Sequence, residues 1–372
     1  MGCETLAGIV EAYDRQGWHR SGSAVDLTNA RWLKDMAEQF AHEVRVEPYD
    51  MTRLKNARGS LTFGNQVIPG VPLYDSPIPH RPVLIGKLGQ VGSSAALGVI
   101  VDAVRAGSDD DFELARRADH HDAIVALGEG STSEVALRNA TSDTPFGVPI
   151  LQIAGRFGEK VQAAAQAKAL AQVSILGSRV PGRSFNVIVD ITSRYSNRPL
   201  VVLTPRTGWW HCAAERGGGL ACWLSTLSRI SSGKLRGRTV FVATGGHELN
   251  YAGIRKFLGH CPDLGDALWF HLGANLGAVG GRLGLSASSP ELEDAAVAEL
   301  SSKRALASSL PIRLTTPLGE ASVLADLGYD FVSVVSTNQR FHQRSDRYPA
   351  NVDMQTLTGI ANGIGALALT LR

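Results

Sequence analysis

Apolar and polar positions set three different textures along the chain. Near the start, Ala30, Leu33, Ala37 and Phe40 recur at helical spacing behind Asp26-Leu27-Thr28, which predicts a helix. Glu43-Val44-Arg45-Val46-Glu47 then alternates as a strand does, so residues 1–50 read as helix, loop, helix, strand. From about 70 to 183 the texture shifts. Pro69, Pro72, Pro77, Pro79 and Pro82 lead into short apolar runs at 83–85, 97–101, 123–127 and 148–153, followed by a helix-like tract at 159–171. Short strands with few long helices predict a small β-rich domain inserted at 70–183.

Beyond 184, strands alternate with helices. Strands are expected at 186–191, 200–203, 239–243, 267–271 and 331–335, and helices at 219–230, 249–258 and 352–371. This rhythm predicts an α/β domain, assembled from 1–69 and 184–372, with a central mostly parallel, mixed sheet flanked by helices. Ligands of such sheets bind at the carboxyl ends of the strands. The loops after Leu203, Ala243, Phe270 and Val335 are therefore where chemistry is expected.

Composition narrows the function classes. The chain has 372 residues, 44% hydrophobic and 19% charged, enough for a large core. A net charge of +2 supplies no bulk field for nucleic acid or a membrane surface. No segment approaches the ~20 apolar residues that span a bilayer. Cys3, Cys212, Cys222 and Cys261 form no CxxC pair and suggest reduced thiols. The start, MGCETLAGIVEAYDRQGWHR, has no signal-peptide core and lacks the myristoylation Ser or Thr. The expectation is a cytoplasmic protein acting on a small molecule, with neither nucleic acid nor membrane as partner. Residues 273–284 would serve as a lid or a dimer contact, which leaves a homo-oligomer open.

Four loops carry candidate chemistry. TPRTGWWHCAAERGGGLACWL gathers Arg206, Trp209, Trp210, His211, Glu215 and Arg216 at a strand-to-helix turn whose Gly217-Gly218-Gly219 opens a helix. It reads either as an anion or carboxylate site or as a glycine-rich turn with half-buried tryptophans. TGGHELNYAG sets His247 beside Glu248, a pair able to bind metal or exchange protons. HLGANLGAVGG begins with His271, which alone is more often a satisfied buried histidine. NQRFHQRSDRYPANVD contributes His342 and Asp346. No P-loop, GxSxG elbow or HExxH is present; Tyr251 stands where HExxH needs its second His.

These pieces together resemble the co-catalytic zinc aminopeptidase family, which includes glutaminyl cyclases, glutamate carboxypeptidase and the transferrin-receptor ectodomain. HRSGS with the ARWLKDM helix, FNVIVDI, PLVVLTPRTGWW, TVFVATGGHELNYAGIRKFL and FHQRSDRYPANVDMQTL fall in that family's order and spacing. The insert resembles a protease-associated domain. By the resemblance, Arg206 and Gly208 occupy the places of a zinc-ligating His and an Asp. Glu215 takes the bridging Asp, His247 the catalytic base, and Glu248 the neighbouring ligand. The next Asp falls near Gly273 and the last His near Ser322. Two carboxylates, Glu215 and Glu248, then remain in ligand positions. They do not make a tetrahedral zinc site; only if His271 faced the cleft could Glu215, His247, Glu248 and His271 form one poor site. A permanently charged guanidinium at 206 would repel a dication and pair with Glu215 or Glu248, or clamp a substrate carboxylate.

The resulting expectation is an enzyme with no metal and no cofactor. His247, Glu248, Glu215 and His271 would carry protons, Arg206 and Arg216 would hold an anionic group, and Trp209, Trp210, Tyr251 and His342 would line the pocket. Hydrolysis of an amide-like bond and isomerase- or lyase-type proton transfer are equally compatible. The alternatives are a non-catalytic binding or scaffold relative and, behind it, an ordinary zinc aminopeptidase.

Overall fold

The computed structural model describes residues 1–102, 111–118, 120–128, 133–192, 198–233, 237–302 and 311–371. Two helices lead, α1 (Cys3–Arg15) and α2 (Ala24–Ala37), the second capped by the Ser23 hydroxyl on the Asp26 amide. The long strand β1 (Val44–Phe63) follows. Next come β2 (Gln66–Pro72), β3 (Val83–Gln90), β4 (Leu97–Asp102), helix α3 (Asp111–Arg117), β5 (Ala123–Gly128), β6 (Ile150–Ile153), helix α4 (Gly158–Gln166) and a second long strand, β7 (Leu170–Ile191).

The chain divides into two compact units, Thr52–Gly182 and Met1–Met51 with Arg183–Arg372, and β1 and β7 give residues to both. The inserted unit thus begins at Thr52, well before residue 70. The expected strand at 43–47 is only the opening of β1, whose burial pattern is irregular and whose surface carries Arg53, Lys55 and Arg58. Local alternation therefore under-reads its length. In the inserted unit the strand order β1-β2-β6-β5-β4-β3-β7 returns on itself, because β1 also pairs with β7. Closure removes the free edges such short strands would otherwise expose. Leu61, Leu97, Val125, Leu151 and Val173 fill its core.

The larger unit continues with β8 (Leu200–Pro205), α5 (Gly218–Ser231), β9 (Thr239–Thr244), α6 (Ala252–His260), β10 (Leu268–Leu272), β11 (Leu283–Ala287), α7 (Pro290–Ser302), β12 (Ile312–Arg313), α8 (Glu320–Asp326), β13 (Asp330–Ser336) and α9 (Met354–Thr370). Its strand order is β7-β9-β8-β10-β13-β11-β12. The four central strands are parallel; β7 runs antiparallel to β9, and β11 to β13. Every residue of β8, β9 and β10 is buried, as expected of parallel strands covered on both faces. On one face Val201, Leu203, Val240 and Trp269 pack with Ile254 and Phe257 of α6 and Val323 and Leu324 of α8. On the other, Trp223 of α5 meets Phe241 edge-on at 5.5 Å and donates its indole N–H to the Val202 carbonyl at 3.2 Å. The parallel strands β8, β9, β10 and β13 aim their carboxyl ends the same way, and the four expected loops gather there. Among the described residues no helix is long and apolar enough to cross a membrane.

Candidate functional site

The segment after β8 builds the floor of the site. Cys212 adopts a left-handed conformation at φ 55°, and a wide turn at Ala213–Gly217 closes when Gly217 N–H reaches back to the Cys212 carbonyl. Such π-turns recur at functional positions because they re-aim side chains. Asp346 holds the turn, accepting the amides of Ala214 at 3.0 Å and Glu215 at 2.9 Å and the side-chain amide of Asn351 at 2.7 Å. Burial, partly offset by Asn351 and reinforced by the charge of Glu215, pushes the Asp346 carboxyl up to about 7.

Glu215 is buried and projects from this turn. One oxygen lies 2.9 Å from Arg216 Nη2 and 3.6 Å from His342 Nε2, and the other accepts the His342 amide at 3.2 Å. Burial would raise its pKa; Arg216, then His342 and His247, outweigh that and hold it below the usual range. Arg216 is fully buried. Its Nε donates to the Thr207 carbonyl at 2.8 Å, and Nη1 has no hydrogen-bond partner. Desolvation opposes its charge, but Glu215 and Glu320 more than compensate and strengthen it.

A second cluster centres on a residue that the sequence reading did not single out, Glu320, in the first turn of α8. Its two carboxylate oxygens meet His247 Nδ1 at 2.9 Å and His271 Nε2 at 3.2 Å, while Thr244 Oγ1 donates at 3.3 Å. The far nitrogen of His271 pairs with Ser333 Oγ at 2.9 Å. Burial works against the Glu320 charge, but His247 and His271 hold its carboxyl well below the ordinary value. Gly319, at φ +66°, threads between the imidazoles: a Cβ there would lie 3.3 Å from His271 and 3.5 Å from His247. Tyr251 meets His247 edge-on at 5.2 Å. His247 keeps the most side-chain exposure of the cluster, 6% against 0–1% for its partners.

Other expected residues are placed differently. Arg206 does not pair with Glu215 or Glu248. It is fully buried against α2, and all five of its N–H groups are used. Nη2 meets Asp26 Oδ1 and the Phe185 carbonyl, each at 2.5 Å; Nη1 meets the Asp26 carbonyl and Asn29 Oδ1, each at 3.0 Å; Nε meets the Phe185 carbonyl at 3.2 Å. A buried carboxylate draws the guanidinium away from the strand ends. Glu248 turns to the N-terminal loop, accepting the Ser21 amide at 2.7 Å and the Thr207 hydroxyl at 2.9 Å. Trp209 is buried, and Trp210 is anchored by an indole N–H donated to the His342 carbonyl at 2.8 Å. Ser322, expected near the last zinc-binding His, hydrogen-bonds the Gly319 carbonyl, whereas His342 lies beside Glu215.

No protein-family model matches the chain, and no curated protein matches it in sequence. Solved structures do. BSAP, a zinc aminopeptidase from Bacillus subtilis, superposes with a TM-score of 0.77 at 15% identity, over 99% of this chain and 93% of that one. The chain has the zinc-aminopeptidase fold. An aminopeptidase from Aneurinibacillus sp. strain AM-1 gives 0.75 at 15% identity, over 98% and 93%. A peptidase M28 precursor from Shewanella amazonensis gives 0.69 at 13%, over 99% and 95%.

The fold implies zinc, but this chain's donors do not fit it. A Cβ at Gly208 would lie 2.8 Å from Cys212 Sγ and 3.1 Å from Glu215, and one at Gly273 would lie 2.6 Å from Val335 and 2.8 Å from His271. By the resemblance these are the places of two Asp ligands, and neither takes a side chain without displacing a neighbour. Arg206, which the resemblance sets at a third ligand place, is spent on Asp26, and Glu215 faces the Arg216 guanidinium. Among the described residues no three His, Cys, Asp or Glu side chains are arranged to hold a metal ion.

Proposed function

We propose that this chain uses the aminopeptidase fold for zinc-independent acid/base chemistry on a small, carboxylate-bearing molecule, with His247 as the proton carrier. The observation that carries this reading is the His247–Glu320 hydrogen bond at 2.9 Å. A carboxylate on Nδ1 favours the tautomer that offers Nε2 to a reacting group and stabilises the imidazolium that forms. His271, on the second oxygen of Glu320, steadies that carboxylate. Arg216, with Nη1 unsatisfied in a dry site, is the group suited to a developing oxyanion. Glu215 fixes Arg216, and Glu248 fixes the loop around Ser21 and Thr207. Arg206 takes no part in the chemistry and serves the fold. Hydrolysis of an amide-like bond and proton-transfer isomerisation or elimination both fit this set.

The test is turnover by chelator-treated protein on a panel of aminoacyl-p-nitroanilides, N-acyl amino acids and 2-hydroxy acids. Turnover that resists chelation and falls at least a hundredfold in His247→Ala supports the reading. Near-stoichiometric zinc lost together with activity, or unchanged kcat/KM in the variant, overturns it.

One observation favours a second reading, a non-catalytic binding or scaffold protein: the ionisable side chains are buried and largely satisfy one another. Diethyl pyrocarbonate separates the two. A His247 that resists modification in the folded protein supports the scaffold.

A further inference from the structure

A second group of residues shares Trp210 with the site described above and carries two cations that the site's chemistry does not use. Trp18 and Trp210 meet edge-on, with centroids 4.9 Å apart and planes at 82°. Two guanidiniums flank this pair. Arg20 lies 5.0 Å from the Trp18 centroid and 4.6 Å from that of Trp210; Arg344 lies 5.1 and 4.4 Å away. Ring quadrupoles attract both cations but neutralise neither. Among the described residues, neither has a carboxylate within salt-bridge distance. Arg20 is partly buried and spends only Nε, on the Trp209 carbonyl at 2.9 Å, while Arg344 is exposed. Burial and then the nearby Arg344 charge lower the Arg20 pKa to about 10, so each cation bears the other's field.

Three features place this group beside the candidate site, and a fourth leaves it accessible. The charge of Glu248 reaches Arg20. Arg20 neighbours Ser21, whose amide holds Glu248. Trp210 grips the His342 carbonyl, and His342 touches Glu215. Trp18, 40% exposed, leaves the group open to solvent.

We propose that Arg20 and Arg344, mounted on Trp18 and Trp210, form the subsite that holds the substrate's carboxylate. Two guanidinium forks present paired N–H donors matching the two oxygens of a carboxylate, and the indoles limit their sideways movement. An anion there relieves the repulsion between the forks, which the charge of Glu248 offsets only in part at Arg20. This assignment rests on the His247 reading and supplies the anion-binding role that Arg206, spent on Asp26, cannot perform.

The probe is succinate, titrated calorimetrically into the full chain, with inorganic phosphate and chloride at matched ionic strength as comparisons. Succinate should bind, and Arg344→Gln should weaken it at least tenfold. Arg344→Lys, which keeps the charge but loses the fork, should recover part of that. Arg344 makes no hydrogen bond required by the fold, so its loss should leave the thermal midpoint unchanged; Trp18→Ala should weaken binding independently. Equal succinate affinity in wild type and Arg344→Gln overturns the subsite. Phosphate binding as tight as succinate overturns the carboxylate assignment, and a signal reproduced by chloride overturns both. Succinate binding that depends on Arg344, with no His247-dependent turnover, removes the catalytic reading and leaves the subsite. His247-dependent turnover with an unchanged KM in Arg344→Gln does the reverse.

Discussion

Replacing Arg206 with Met tests whether its guanidinium serves the fold or the cleft. In the structure the charge is paired with Asp26 at 2.5 Å, and both side chains are fully buried. Removing the guanidinium leaves the Asp26 carboxylate with the Gly22 amide at 2.6 Å and no counter-charge. The amide of Asn29 and the carbonyls of Asp26 and Phe185 also lose donors. Breaking one side of a buried pair typically costs about 3–5 kcal/mol, because the remaining charge stays desolvated. With a urea m-value of ~2–3 kcal/mol/M, that moves the midpoint down by about 1–2.5 M. Tryptophan fluorescence isolates the event, since Trp18, Trp32, Trp209, Trp210, Trp223 and Trp269 all lie in the larger unit. Arg206→Met with Asp26→Asn should recover part of the loss, because a neutral pair no longer strands a charge. A midpoint within ~0.3 M of wild type for the single variant, or no recovery in the double, would refute the structural role.

Three other outcomes are expected. Glu320→Gln should cost about 1.5–3 kcal/mol at pH 7, the usual worth of hydrogen bonds to a charged group. Because the folded-state pKa of Glu320 is depressed, its contribution is present above the ordinary 4.5 and lost as pH falls toward the lower folded value, so the gap between wild type and variant should narrow in acid. Asp346 has the opposite sign. With its carboxyl raised from 3.8 to about 7, its stabilisation is complete below ~4 and lost as pH rises through ~7, and Asp346→Asn should flatten that decline in urea midpoints measured from pH 4 to 8. Gly208→Asp, which puts a carboxylate where the resemblance expects a ligand, should destabilise by about 1–3 kcal/mol through overpacking against Cys212 and Glu215; elemental analysis after zinc incubation should show no gain over wild type.

The fold was legible where burial writes a continuous apolar run. FVATGG and VVLTPR announce parallel strands because both faces are covered, and the loops behind them hold Glu215, Arg216, His247 and Glu248. What stayed hidden depends on distant pairings. Asp26 reads as an ordinary residue of a helix first turn; only the chain's return, 180 positions later, makes it the partner of Arg206. Glu320 follows no strong strand, since β12 is two residues long, so nothing local marks it as the hub between two histidines. Arg20 and Arg344 are far apart in sequence and stand out only once Trp18 and Trp210 bring them together. The length of β1 was concealed by charges on a half-exposed surface.

The Arg206–Asp26 pair also bears on how this lineage could change. A histidine at 206 would leave the Asp26 carboxylate unpaired in the interior, and the spaces beside 208 and 273 would still be shut. Under the zinc-independent reading proposed above, each single step toward a ligand set is disfavoured on its own, and the pair works as a ratchet.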